Sequence, residues 1–319
     1  MRIVALGRTR MLWNTIRLLY AAGHSIALIA TCKAAPEYDI REQDFEELSN
    51  EVGAEFLFTQ DLNAPAVVER LSQMCAEVAV SVNWVNLIGP AVCSVFKYGV
   101  LNAHAGDLPR YRGNAPVAWA ILNGESKIGI TIHQMDPNDL DTGPIVLKKY
   151  YVLDDRTYIG DVFNYLNEQI PQMFLESIEG LQSGALVPVP QPADPKLSLR
   201  CYPRRASDGW IDWSRPANEL ARLVRASAEP FSGAFTSFYG ERLIVWRAHA
   251  APWPCPSLAV PGQVVHRDRA TGQVSVATGA DLLVLEEVEL VGQQRCAPVM
   301  IIKSLRDRLG DHSPAWVRF

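Results

Sequence analysis

The chain has 319 residues, of which 48% are hydrophobic and 20% are charged. This length is natural for two domains, and the composition is that of an ordinary globular protein. The net charge of -5 gives no global electrostatic case for binding nucleic acid or an anionic membrane.

The first hundred residues alternate apolar strands with amphipathic helices. This alternation implies a parallel sheet that is covered by helices on both faces. Strands are predicted over residues 1–6, 25–31, 55–58, 78–82 and 100–104, with helices that include 42–52, 64–74 and 92–96.

The rest of the chain changes character twice. Alternating residues predict a half-buried strand over 129–135 that pairs with 145–152, and a long amphipathic helix follows over 161–181. Four prolines within 188–195 then predict an extended linker, because proline fixes φ and lacks a backbone donor. Beyond it, one helix and several short strands suit a small barrel of the OB type. We therefore predict an α/β chain with a Rossmann-like catalytic domain over 1–187, a linker over 188–204 and an OB-like domain over 205–319.

Cysteine usage and the absence of long apolar runs set further expectations. The six cysteines form no CxxC pair, so a zinc site is poorly supported. The N-terminal sequence lacks a secretory pattern, and no window approaches 18 apolar residues. We expect no metal, no membrane contact and a reducing, cytoplasmic setting.

Two short runs carry the chemistry. In LNAHAGDLPRYRG, Asn102 and His104 lie two residues apart at the end of a predicted strand, so their side chains can face the same side. The carboxyl end of a parallel strand is where open α/β sheets bind ligands. In MDPNDLDTGPI, the density of Asp, Pro, Asn and Gly predicts an ordered turn from which Asp141 can project toward His104.

Together, NAHAGDLPRYRG and LDTGPI resemble the folate-dependent formyltransferase family. The resemblance covers nearly the whole chain and is closest to the sugar-nucleotide N-formyltransferases, such as the enzyme acting on UDP-4-amino-4-deoxy-arabinose; the methionyl-tRNA formyltransferases are related. Four further runs carry it in the C-terminal half, namely YPRR at 202–205, IDW at 211–213, LVRA at 223–226 and PFSGAF at 230–235.

The resemblance implies that an amine attacks the formyl group of 10-formyltetrahydrofolate, a co-substrate, and that no metal is needed. Asn102 and His104 would donate N–H groups to the developing oxyanion, each worth roughly 3 kcal/mol in comparable sites. Asp141 is the candidate base, and its charge would favour a protonated His104.

Other residues are expected to bind the two substrates. The loop after strand 78–82 resembles the family's folate-binding segment, and the turn over 136–140 would form the opposite wall. One or two arginines after His104 could clamp the diphosphate of the acceptor. The family often has Ser-Leu-Leu-Pro where this chain has Gly-Asp-Leu-Pro, and the extra carboxylate of Asp107 leaves the exact acceptor pocket undetermined. The expected donor-binding residues are Asn83, Trp84, Leu87, Ile88, Gly89, Asp136, Asp139 and Leu140, and the expected acceptor-binding residues are Arg110, Tyr111, Arg112 and Asn114.

We favour formylation of an amino sugar carried on a nucleotide. Methionyl-tRNA is the alternative acceptor, hydrolysis of the donor is an alternative reaction, and a non-catalytic binding module is a fourth reading. The resemblance suggests that the tRNA enzymes contact the acceptor stem through a basic insertion after the second strand. Residues 32–44 are short and mostly acidic here, so we expect no nucleic-acid partner. The oligomeric state is left undetermined, with a homodimer possible. His133, on an alternating strand, is interpreted as a packing residue.

Overall fold

The structure, a computed structural model, describes residues 1–36 and 38–310. The chain divides into two compact units. The first contains Met1–Pro116, Lys127–Val152 and Val162–Tyr202; the second contains Val117–Ser126, Leu153–Asp161 and the chain from Pro203 onward. The predicted domain limits at 187/188 and 204/205 stay predictions, and residues 311–319 of the predicted second domain lie outside the described residues.

The first unit is built on a seven-stranded sheet of order β3-β2-β1-β4-β5-β7-β8. The first five strands in this order pair in parallel, whereas β7 pairs antiparallel with both β5 and β8. The strands are β1 (Arg2–Gly7), β2 (Ser25–Thr31), β3 (Glu55–Phe58), β4 (Val78–Val82), β5 (Val100–His104), β7 (Lys127–Gln134) and β8 (Ile145–Val152), and a separate parallel pair is formed by β6 (Arg112–Gly113) and β9 (Arg200–Cys201).

Helices connect these strands. Proline stands at the first position of α3 and α4, where its missing N–H costs no helical hydrogen bond. The short helix predicted over 92–96 lies slightly earlier. The first six helices are α1 (Arg10–Ala21), α2 (Glu42–Val52), α3 (Pro65–Gln73), α4 (Pro90–Cys93), α5 (Pro116–Leu122) and α6 (Ile159–Ser183).

Burial on both faces explains why the central strands read as continuous apolar runs. Every residue of β4 and of β5 is buried. Gly7 ends β1 with φ +148, and a Cβ there would lie 2.1 Å from the carbonyl oxygen of Val82, so a side chain would force β1 and β4 apart. The close pairing brings the carboxyl ends of β1, β4 and β5 to one edge of the sheet, where the predicted site residues lie.

The second unit contains an antiparallel five-stranded sheet of order β10-β11-β14-β13-β12. Its apolar core includes Ile211, Trp213 and Val224 together with residues of all five strands. The predicted fold class, an α/β domain with a parallel-rich sheet followed by a small β domain, is confirmed. The elements are α7 (Ala217–Ser227), β10 (Ala234–Phe238), β11 (Glu241–Ala251), β12 (Val264–Arg267), β13 (Val274–Ala277) and β14 (Leu282–Leu290), with 3-10 turns at Pro195–Leu197, Ala206–Gly209 and Pro298–Met300.

Within the described ranges, no helix is both long enough and apolar enough to cross a membrane.

Candidate active site

The end of β5 presents two polar side chains on one face of the sheet. Asn102 and His104 are both buried, although polar residues such as these are more often exposed to solvent. The neighbouring strand β7 adds polar residues to the same face, because Asn102 pairs with His133 and His104 pairs with Thr131. The hydroxyl of Thr131 donates to the carbonyl of Gly106 (2.8 Å), which fixes the start of the loop after His104.

Asp141 reaches this face from the turn between β7 and β8. Its backbone is left-handed (φ +56), a conformation that a non-glycine residue adopts only when its surroundings hold it there. Its carboxylate lies 3.5 Å from Nδ1 of His104 and 3.6 Å from Nε2 of His133, and it accepts a 2.8 Å hydrogen bond from the N–H of Gly113. The structure thus brings together the three residues that the two sequence runs nominate.

His133 belongs to the same cluster, which its position on an alternating strand did not reveal. Its Nε2 lies 3.2 Å from the Asn102 amide nitrogen, and its Nδ1 lies 2.9 Å from the carbonyl oxygen of Gln134. A carbonyl only accepts, so the ring proton sits on Nδ1 and Nε2 accepts from the Asn102 amide. The pairing of His133 with Asn102 across antiparallel strands was the missing information, since strand alternation does not specify a neighbour or a register.

His104 is held between two acceptors. Its Nε2 donates to the carbonyl of Tyr111 at 2.6 Å, and its Nδ1 faces the Asp141 carboxylate. Burial lowers the pKa of His104 below its ordinary value and outweighs the opposing effects of the Asp141 charge and the Tyr111 carbonyl. The Asp141 charge favours a protonated His104, as the sequence predicts, but burial outweighs it, so the neutral imidazole with its proton on Nε2 is favoured near pH 7.

The Asp141 carboxylate is ionised. Burial raises its pKa, but attraction to the imidazolium form of His104, the interactions with His133 and the hydrogen bond from the Gly113 N–H together lower the pKa to about 2. A carboxyl group with so low a pKa is a weak base. The ionised carboxylate is better suited to stabilising positive charge on the adjacent His104 ring than to accepting a proton.

Asp141→Asn should therefore destabilise the protein in a pH-dependent way. A carboxyl group whose pKa is depressed on folding stabilises the folded state above its unfolded pKa and loses that effect as the pH falls through the folded pKa. We expect a loss of about 2 kcal/mol at pH 7 that shrinks between about pH 4 and pH 2. Urea unfolding of both proteins at pH 7 and pH 3 measures it. Asp39→Asn, which removes an exposed ion pair with Arg10, is the control; an equal Asp141→Asn difference at both pH values would contradict the prediction.

The segment predicted to bind the donor follows β4. Asn63 anchors it, since its side chain donates to the carbonyl of Leu87 (2.9 Å) and accepts from the N–H of Gly89 (2.7 Å). Val85 and Leu87 are exposed, at 42% and 71%, whereas Ile88 is buried in an apolar cluster. An exposed apolar surface is thus offered by Leu87 and not by the Ile88 side chain.

The opposite wall, residues 136–140, is an ordered turn. Asp136 accepts from the Asn138 N–H (2.9 Å) and the Thr142 hydroxyl (3.0 Å), and Asp139 accepts from the N–H of Leu140 (2.8 Å). Both carboxylates therefore shape the turn. Met135, which precedes this turn, packs against the same apolar cluster as Trp84 of the donor-binding loop.

The predicted acceptor-binding residues divide into two groups. Arg110 and Asn114 are exposed, and the Arg110 guanidinium lies 5.3 Å from the ring centre of Tyr111. Tyr111 is buried, and the guanidinium of Arg112 donates to the side-chain oxygen of Gln191 at 2.7 Å. Arg112 is half-buried, and this hydrogen bond ties its guanidinium to the proline-rich segment after α6.

Asp107, the departure from the family pattern, is tied to β8. Lys148 donates to its carboxylate (2.8 Å) and to the carbonyl of Leu108, and the Tyr150 hydroxyl donates to the same carboxylate oxygen (3.2 Å). Asp107 thus fixes the loop after His104 to the sheet edge. Among the described residues, no group of three or more His, Cys, Asp or Glu side chains could hold a metal ion.

The segment after β2 has little positive charge to offer. Residues 32–44 hold two basic and four acidic side chains, of which Glu37 lies outside the described residues. Arg41 donates to the carbonyls of Ala35 (3.1 Å) and Pro36 (3.3 Å), and Arg10 at the start of α1 pairs with Asp39 (3.1 Å). The Arg41 and Arg10 guanidinium groups are therefore both bonded to groups of this segment.

Comparison with known proteins adds two family matches. Residues 1–178 match the family described as formyl transferase, and residues 204–306 match the formyl transferase C-terminal domain. The chain is 31% identical over 301 residues to a methionyl-tRNA formyltransferase from Lachnospira eligens, covering 92% of this chain and 94% of that protein. It is 30% identical over 298 residues to a methionyl-tRNA formyltransferase from Pelobacter propionicus, covering 92% and 90%.

Solved structures share the fold at low identity. An N-formyltransferase from Helicobacter canadensis, in complex with folinic acid and dTDP-3-aminofucose, has a TM-score of 0.66 at 12% identity over 90% of this chain and 99% of that one. WlaRD, a sugar 3N-formyl transferase determined in the presence of dTDP and 5-N-formyl-THF, has a TM-score of 0.65 at 13% identity over 92% and 99%.

Proposed function

We propose that this chain, which belongs to the formyl transferase family and is a formyltransferase using 10-formyltetrahydrofolate, acts on the amine of a nucleotide-linked amino sugar. The observation that carries formyl transfer is the buried cluster of Asn102, His104 and Asp141 at the carboxyl end of β5. Folate donors supply an activated formyl carbon. The chain supplies groups that bind the developing oxygen charge and hold the proton that the amine must lose.

His104 is the proposed proton acceptor. With its Nε2 proton donated to the Tyr111 carbonyl, a neutral ring leaves Nδ1 free to take a proton from the amine, directly or through a water. The resulting positive charge would lie 3.5 Å from the Asp141 carboxylate. Asn102 keeps its proposed role as a donor to the oxygen of the formyl group. Asp141 stabilises the charged ring, which suits its low pKa better than the role of base.

The residues beside the cluster fit a flat, partly apolar donor. The exposed side chain of Leu87 offers an apolar surface after β4, and the turn over 136–140, ordered by its own hydrogen bonds, is the proposed opposite wall. Asn83, Trp84, Gly89, Asp136, Asp139 and Leu140 keep their proposed places around the folate, and Ile88 supports the loop from the core.

Leu87→Asp should raise the donor KM by about tenfold or more, because burying a leucine side chain against a ligand contributes about 1.5–3 kcal/mol. The acceptor KM should change much less. Initial rates at varied 10-formyltetrahydrofolate concentration measure the effect. Leu258→Asp, at a fully exposed leucine of the second unit, is the matched control; an unchanged donor KM in Leu87→Asp would remove the loop from the donor site.

Two features support a sugar nucleotide as acceptor. The segment after β2 is acidic on balance, and its one guanidinium, that of Arg41, bonds to carbonyls of the segment itself, so it suits a small ligand better than a polyanion. Arg110 and Asn114, exposed after the catalytic strand, remain the proposed contacts to the acceptor phosphates, because a diphosphate needs only one or two such groups. The relative from Helicobacter canadensis, bound to dTDP-3-aminofucose, supports the same class of ligand.

Methionyl-tRNA is the second candidate acceptor. The observation that favours it is the match, over nearly the whole chain, to proteins named methionyl-tRNA formyltransferase at 30–31% identity. We place it second because the family membership they share with this chain specifies the donor chemistry more closely than the acceptor surface.

The proposed compartment remains the cytoplasm, which suits the six free thiols.

A panel of acceptors tests the proposal. Purified protein and 10-formyltetrahydrofolate are incubated with dTDP-, UDP- and GDP-linked amino sugars, with methionyl-tRNA, and with no amine, and products are identified by mass spectrometry. We expect an N-formyl sugar nucleotide. Formylated methionyl-tRNA with no formylated sugar would replace the proposed acceptor, and formate released equally well without amine would indicate donor hydrolysis.

A further inference from the structure

The proline-rich segment after α6 pairs by backbone hydrogen bonds between Val189 and Ile145, and the side chain of Gln191 then reaches the active-site turn itself. The Gln191 amide nitrogen donates to the carbonyl oxygens of Asp141 and Gly143, both at 2.8 Å. Its side-chain oxygen accepts from Arg112 at 2.7 Å. One glutamine therefore joins the turn that carries Asp141 to the loop that follows His104.

The same loop holds the other end of Asp141. Gly113, next to Arg112, donates its N–H to the Asp141 carboxylate, while β6 pairs with β9 beyond the proline-rich segment. Gly113 has φ +98, and a Cβ there would lie 2.4 Å from the carbonyl oxygen of Cys201. Only glycine lets the loop pass β9 this closely while its N–H points at Asp141.

These hydrogen bonds hold Asp141 in a backbone conformation that is unfavourable for a non-glycine residue. Asp141 is left-handed, and such a backbone persists in a non-glycine residue only where the surroundings hold it. Gln191 fixes the carbonyl of Asp141, and Gly113 fixes its carboxylate. Rotation at Asp141 would break both and carry the carboxylate away from His104 and His133.

We propose that Gln191, supported by Arg112, is a positioning residue that keeps the Asp141 carboxylate beside His104. The segment between the two predicted domains is then part of the apparatus that holds the active site. The proposal rests on the proposed function only in taking Asp141 as part of the reacting cluster.

Three variants separate the contacts. Gln191→Ala removes all three hydrogen bonds of this side chain. Gln191→Glu keeps an acceptor for Arg112 but loses the N–H groups that donate to the turn. Arg112→Ala leaves the hydrogen bonds from the Gln191 amide nitrogen to the turn intact. Lys196→Ala, at an exposed position in the same segment, is the control. We expect both Gln191 variants to lower kcat by about 10- to 100-fold with each KM within about threefold, and Arg112→Ala to lower kcat less.

A second readout needs no substrate. Titration of the His104 imidazole by nitrogen NMR should show a lower pKa in Gln191→Ala than in the wild type, because the Asp141 charge that raises it has moved away. An unchanged His104 titration, or a kcat within twofold of the wild type, would overturn the proposal. So would a kcat loss that only follows the folded fraction seen by circular dichroism. Failure of the proposed function appears separately, as a wild type that forms no formyl product.

Discussion

His104→Ala and Asp141→Asn should each lower turnover with the true acceptor by at least about 100-fold, the scale of a lost general base or oxyanion-site group. His104→Ala removes Nδ1, the atom proposed to hold the amine proton. Asp141→Asn keeps the shape of the side chain but removes the charge that lies 3.5 Å from that atom. Steady-state rates at saturating donor and acceptor measure both losses.

The two variants also differ in a way that tests the assigned roles. Asp141→Asn should move the acid limb of kcat to lower pH, because the Asp141 charge raises the pKa of His104 and the neutral ring is the active form. His104→Ala should abolish that limb. His249→Ala, which removes an exposed ion pair with Glu286 in the antiparallel sheet, is the control and should leave turnover unchanged. Near-normal turnover in either site variant would mean that the roles are wrongly assigned.

The sequence was informative wherever local chemistry decides the structure. The largely apolar runs of β1 and β4 specify buried parallel strands, and the dense turn formers at 136–144 specify an ordered turn. The two-residue spacing of Asn102 and His104 on a strand end then indicates a shared face. The fold class was confirmed because these signals act over a few residues and agree with one another.

Contacts between distant residues could not be predicted in the same way. His133 joins the cluster only through the register of β7 against β5, which no local pattern encodes. Arg112 is a residue type that often binds phosphate. Its hydrogen-bond partner Gln191 lies 79 residues away, in a segment whose sequence indicates only an extended chain. Ile88 follows exposed Leu87, and whether each side chain faces outward depends on how the loop packs on the core. Each case turned on tertiary packing.

The acceptor makes the largest difference that we expect to measure. If the proposed acceptor is right, methionyl-tRNA should be used at least about 1,000-fold less efficiently than the preferred nucleotide amino sugar, since six to ten phosphate contacts contribute nucleic-acid affinity on about that scale. The segment after β2 offers few of those contacts: its one arginine, Arg41, is bonded to two carbonyls, and the nearby Arg10 of α1 pairs with Asp39.

Salt dependence separates the two acceptors independently of absolute rates. Neutralising many phosphates makes binding fall steeply with salt, whereas one or two arginine contacts to a diphosphate give a shallow dependence. We expect kcat/KM for the amino sugar nucleotide to change by less than about fivefold between 50 and 200 mM salt. A methionyl-tRNA formyltransferase assayed in parallel verifies the tRNA. Efficient formylation of methionyl-tRNA by this protein, with a steep loss of activity over the same salt range and no reaction with any amino sugar, would replace the sugar nucleotide with tRNA as the acceptor.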